Sequence, residues 1–178
     1  MQSRLKDPLL AAVQVLLILI MIVFIFAIVM LGIGIGALVS VGRAEVLAKI
    51  AAAGAPPSAY WLLIVAIALI MAILMLGCRF FQELRGVVDS VGEGEPFRAD
   101  NATRLSRMGW ISVGAHALGL IIGAIAHWFM PYLEKAGEVN DLEFGVDGGG
   151  ILLTLILFIL ARVFRRGADM REELEGTV

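Results

Sequence analysis

Four runs of apolar side chains, roughly Leu9 to Val39, Tyr60 to Cys78, Met108 to Met130 and Gly148 to Phe164, divide the chain, and charge gathers between them. Each run is near or above the ~20 residues that an α-helix needs to cross the hydrocarbon of a bilayer. None shows the period-two alternation of a barrel strand, and lipid offers the backbone no hydrogen-bonding partner. The pattern therefore predicts an all-α, integral membrane four-helix bundle. The fourth span is the shortest. Its uncharged stretch, Ile151 to Ala161, is only about two-thirds of a crossing and needs Gly148 to Gly150 at one end and a snorkelling Arg162 at the other. The first span follows Arg4 and Lys6, as the core of a signal peptide would. It far exceeds the ~7 to 15 apolar residues of a cleavable one, so it is expected to stay as an anchor.

The polar stretches have patterns of their own. In RFFQELRGVVDSV, from residue 79, Phe80, Leu84, Val87 or Val88 and Val91 recur at helical spacing, opposite Arg79, Gln82, Glu83, Arg85 and Asp89. The second span should thus continue as an amphipathic helix, with Arg79 and Glu83, and Arg85 and Asp89, as i, i+4 pairs. GEGEPF, residues 92–97, then breaks it, because glycine is flexible and Pro96 disfavours helical geometry at Glu95. Asp100 or Asn101 is placed to cap the next helix through a side-chain oxygen. The result is a hairpin over residues 79–107. In the tail, residues 165–178, Gly167, Met170 and Leu174 continue an apolar stripe from Val163, with charges elsewhere. Tail and hairpin are expected to pack together, Leu84 and Val88 against Met170 and Leu174. Arg98, Arg104 and Arg107 should align with Glu172, Glu173 and Glu175.

Composition agrees with the pattern: 60% of residues are hydrophobic, 17% are charged and the mean hydropathy is +0.94, far from an ordinary soluble domain. A net charge of −2 carries no global bias toward nucleic acid, and no direct nucleic-acid binding is expected. The distribution of charge says more. Two Lys or Arg precede the first span, two lie in the first loop, five in the second, one in the third, and four begin at Arg162. Under the positive-inside rule both termini and the hairpin should face the cytoplasm. That placement removes Asn101-Ala102-Thr103 from consideration as a glycan acceptor.

Candidate chemistry is sparse. Gly32, Gly36 and Ser40 have the small-xxx-small spacing that lets helix backbones approach in lipid, and this, rather than a nucleotide loop, is the reading of GIGIGA. On the third span His116, Gly119, Gly123 and His127 share a face, so Gly119 and Gly123 should contact a neighbouring helix and both imidazoles should look into the bundle as a possible intramembrane polar site. The two histidines stand about 16 Å apart along the axis and cannot share a metal ion; a bis-histidine haem would need a partner chain. Met71, Met75 and Cys78 share a face of the second span, but outer loops without a Met or Cys cluster argue for packing over copper. Gly145 and Gly148 to Gly150 are expected as a flexible lead into the fourth helix, with Asp147 as its cap. No nucleophile with a matching base, paired intramembrane carboxylates or phosphate loop appears. The expectation is a non-enzymatic protein with no cofactor and no metal.

SVGEGEPFRADNATRLSRMGW in the hairpin and FRRGADMREELEGTV at the end, joined to four spans, resemble the bacterial membrane family called domain of unknown function 2975. The resemblance rests on Pro96, Phe97, Asn101, Arg104, Leu105 and Gly109, and on Gly167, Glu173, Thr177 and Val178. It brings no activity with it. It implies a multi-pass protein of the bacterial inner membrane and, because members are often encoded beside a small helix-turn-helix regulator, a regulatory or signalling interaction partner in the cytoplasm. Self-association is a second form of contact to expect. A small transporter or permease subunit and an immunity or protective protein are the alternatives. Transport would ask for charged or broken-helix elements at mid-membrane, where Gln14, His116 and Thr154 are nearly the only polar residues.

Overall fold

The computed structural model describes residues 8–136 and 148–175. They form five helices and, among the described residues, no strand: α1 (Pro8–Ser40), α2 (Arg43–Ala52), α3 (Ala59–Gly92), α4 (Ala99–Ala136) and α5 (Gly148–Glu175). α1, α3, α4 and α5 are each long and apolar enough to cross a membrane, so the chain is an all-α membrane protein with four candidate spans. Arg4, Lys6, Gly145, Asp147, Thr177, Val178 and the Glu175 side chain lie outside the described residues.

The helices outrun their apolar segments. α3 continues past Cys78 to Gly92, and α5 continues past Phe164 to Glu175, as the amphipathic spacing predicts. Gly148 to Gly150, expected as a flexible lead, are instead the first residues of α5. α2 is an addition. Its RAEVLAKIAA is too short and too polar to span, but Glu45 and Lys49 pair at 3.0 Å with i, i+4 spacing, and Gly54 turns the chain beyond it with φ +73°.

Two compact units arise. In one, built from residues 25–75 and 115–146, the Pro56-Pro57 turn leads into α3, and buried Tyr60 donates its hydroxyl to the Leu38 carbonyl at 3.2 Å. Arg43 lies over the Tyr60 ring, 5.7 Å from its centroid. The tyrosine thus ties the start of α3 to the end of α1 and the start of α2.

The other unit comprises residues 1–24, 76–114 and 147–178. Its core is Leu105, Met108, Leu157 and Ala161, with Phe80, Leu84, Val87 and Phe164 packed around them. Within lipid such contacts gain through close packing rather than exclusion of water, which favours small residues and internal hydrogen bonds. Both occur here. The buried hydroxyls of Ser112 and Thr154 lie 2.6 Å apart, joining α4 to α5. The Phe158 ring packs against Gly109, where a built Cβ would come within 2.9 Å of it, and the Phe24 ring packs against Gly77.

The small-residue contacts expected elsewhere are not made among the described residues. A Cβ built at Gly32, Gly36, Gly119 or Gly123 meets no atom within 4 Å, and the Ser40 hydroxyl bonds its own helix at the Gly36 carbonyl, 2.7 Å away. Spacing marks a flat helix face but does not say what covers it. The close approaches fall instead where an aromatic ring from another helix lies on a glycine.

Candidate functional site

The charged end of the second unit is organised around Asn101. α3 ends at Gly92, Gly94 adopts φ +81°, which a glycine tolerates without strain, and α4 begins at Ala99. Asn101 is therefore inside the first turn of α4 and not at the cap position expected of it. It is 1% exposed, and its side-chain amide nitrogen donates both to the Ser90 hydroxyl and to the Pro96 carbonyl, the latter at 2.9 Å. Ser90, also buried, donates its own hydroxyl hydrogen bond to the Val87 carbonyl at 2.7 Å. The orientation of the amide follows, because a carbonyl can only accept and the serine proton is already engaged. One side chain thereby fastens the end of α3, the turn and the start of α4.

Arg104, one turn further along α4, fits against Gly86, where any Cβ would collide with the guanidinium. The arginine reaches Glu83 at 3.7 Å, and Arg107 reaches the same carboxylate at 3.3 Å. Glu83 is thus drawn across to α4 instead of serving the expected pair along its own helix. Asp89 likewise looks away from its helix and accepts a 2.7 Å hydrogen bond from the Gln14 side chain of α1.

The tail joins this assembly through Phe97. Its ring lies 5.5 Å from that of Phe164 and against Gly167, where a built Cβ would come within 2.7 Å. The joint element expected of hairpin and tail is present, with different contacts. Leu84 turns into the core cluster, while Met170 and Leu174 are exposed, so the predicted apolar seam between them does not form. The charges differ as well. Arg98 pairs within the turn, with Glu93 at 3.1 Å and Glu95 at 3.8 Å, and Arg104 and Arg107 turn to Glu83. The pair that bridges turn and tail has the opposite polarity, Glu95 of the turn with Arg171 of α5 at 3.8 Å. Exposed pairs of this kind contribute only about 0 to 1 kcal/mol each, so they follow the packing of the helices rather than direct it. Glu173 is exposed on the tail.

Pro96, Phe97, Asn101, Arg104, Leu105, Gly109 and Gly167 are therefore gathered in one unit, each with a packing or hydrogen-bonding task. Buried Asn101 is also no surface for a glycan. Gly86 and Ser90 belong to the same set and were not singled out from sequence. A glycine and a serine within an amphipathic helix give no signal until the side chains opposite them are known.

The histidines belong to the other unit. His116 is half-buried and His127 is exposed, so the two do not both look inward as their shared helix face suggested. Among the described residues no three His, Cys, Asp or Glu side chains converge as a metal site would require. Met75 is exposed, so the sulfur face of α3 is not wholly a packing surface within the chain.

No curated protein and no solved structure matches the chain. A family match covers residues 43–178, taking in α2 to α5 with the turn and tail just described. The chain accordingly belongs to the family described as "Protein of unknown function (DUF2975)".

Proposed function

We propose that this protein works by non-covalent contact rather than catalysis: a multi-pass protein of the bacterial inner membrane, termini and α3–α4 turn in the cytoplasm, whose α5 tail docks a soluble regulatory protein. The observation that carries this reading is the exposure of Met170 and Leu174, 57% and 73%, one helical turn apart. They lie beyond Arg162, Arg165 and Arg166, where α5 has left its apolar run, so lipid is poorly placed to cover them. Leu84, a hairpin side chain that could have covered them, packs at the core cluster instead. Two apolar anchors at i, i+4 on a helix held by Phe97 and Glu95 suit docking into, or beside, an apolar groove of a partner. The helix-turn-helix regulator implied by the family resemblance is the partner class to test first.

Leu174→Asp should weaken association of the detergent-purified full chain with that regulator by about tenfold or more, by loss of one buried leucine contact. Thermal unfolding should stay unchanged, because Leu174 contacts little of its own chain. Fluorescence anisotropy with labelled regulator reads the first and a melting curve the second; undiminished binding would overturn the assignment of the docking face. Sidedness has its own test. In a Cys78→Ser background, cysteines at the exposed positions Ser58 and Asp100 should label from opposite faces of the membrane, Asp100 from the cytoplasm. Labelling of both from one face would refute the topology.

A further inference from the structure

The charged end of the unit built around Leu105 and Met108 carries arginines of two kinds. Arg104, Arg107, Arg98 and Arg171 face carboxylates and build the turn. Arg79, Arg85, Arg162, Arg165 and Arg166 are all exposed, and among the described residues none has a carboxylate partner.

The second set lies on α3 and α5 just past their apolar runs. Arg79 precedes Phe80, Arg85 follows Leu84, Arg162 follows Ala161 and Arg165 follows Phe164, and those four neighbours all belong to the core cluster of this unit. Four of the arginines are thus exposed beside a neighbour that packs at the core cluster. Arg79 is also the first charge after the uncharged stretch of α3, and Arg162 the first after that of α5. A helix passes from hydrocarbon to headgroups at such a point, and long basic side chains snorkel there toward phosphate. Glu83, the carboxylate nearest in sequence on α3, is already held by Arg104 and Arg107.

We infer that Arg79, Arg85, Arg162, Arg165 and Arg166 form a binding belt for the phosphate groups of anionic phospholipids in the leaflet at this end of the protein. Charge complementarity and depth both select this occupant. Guanidinium offers paired donors that match phosphate oxygens, and the acyl chains of the same lipid meet the exposed apolar surface of α5, including Ile159 and Leu160, above it. The belt is independent of the protein docking proposed for Met170 and Leu174, and it does not depend on which side of the membrane this end occupies.

The test is native mass spectrometry of the full chain released from detergent micelles containing phosphatidylglycerol and phosphatidylcholine with identical acyl chains. Near an anionic surface each basic residue is worth roughly fivefold in association, so the chain should retain phosphatidylglycerol in preference by at least about tenfold. Arg162→Gln, Arg165→Gln and Arg166→Gln together should remove most of that preference, whereas the corresponding three lysine substitutions should keep the larger part. Arg98→Gln, within the paired set, should leave it unchanged. If the triple glutamine variant fails to fold, Arg79→Gln with Arg85→Gln provides the second arm, with a several-fold loss expected. Equal retention of the two lipids, or an undiminished preference in folded belt variants, would overturn the inference. Displacement of the lipid by excess inorganic phosphate would do so too, by making this a site for the free anion.

Discussion

Asn101→Leu is expected to destabilise the protein by about 2 to 4 kcal/mol, the cost of leaving buried polar groups without their partner. The Pro96 carbonyl and Ser90 would lose the donor that ties the turn to both helices. Asn101→Asp separates this explanation from simple packing. The carboxylate has nearly the same shape, yet when ionised it can only accept, and it would place an oxygen against the Pro96 carbonyl. It should therefore be at least as damaging as leucine. Thermal and urea unfolding of the full chain in detergent would measure both, and an aspartate variant as stable as the parent would show that the amide protons are not what holds the turn.

A comparable loss is expected at Gly109, from too much volume instead of too little hydrogen bonding. Gly109→Ala places a methyl group within 2.9 Å of the Phe158 ring in a buried position, and Phe158 is itself flanked by Trp110 with ring centroids 5.5 Å apart. Overpacking of this kind costs about 1 to 3 kcal/mol. Phe158→Leu alone should also destabilise, by removing ring contacts, but the double variant should lose less than the two singles added together, since the smaller side chain makes room for the methyl group. Gly119→Ala is the matched control, because its Cβ meets no atom within 4 Å. Strict additivity at positions 109 and 158, or a loss at Gly119 equal to that at Gly109, would place the close helix contact elsewhere.

The spans were legible because burial in hydrocarbon imposes one rule on every residue of a run, and length alone then identifies the helices. The break at GEGEPF was equally plain, since Gly94 and Pro96 constrain the backbone whatever surrounds them. α2 escaped because a ten-residue polar helix satisfies no such uniform rule. The site was legible in outline only. Asn101 stood out by its place near a helix start, which suggests an accepting cap, whereas its task depends on Ser90 standing opposite, eleven residues back. The tail stripe had the right spacing to be buried, but spacing cannot tell that Leu84 has a better place among Leu105, Met108 and Leu157. In the same way Gly119 and Gly123 looked like a contact face because the pattern records small size and not the presence of a neighbour.

The hydrogen bond from Gln14 to Asp89 has a consequence for biosynthesis. Gln14 lies in α1, ahead of the region shared with the family, and its partner lies 75 residues later near the end of α3. During synthesis α1 emerges before this amide has its partner and must wait for most of α3 to be made, as must Phe24 for Gly77. The first helix is thus installed early and fastened late. A chain begun at residue 43 would contain the whole family-matched segment, yet it would present Asp89 without the amide and Gly77 without the ring that receives it.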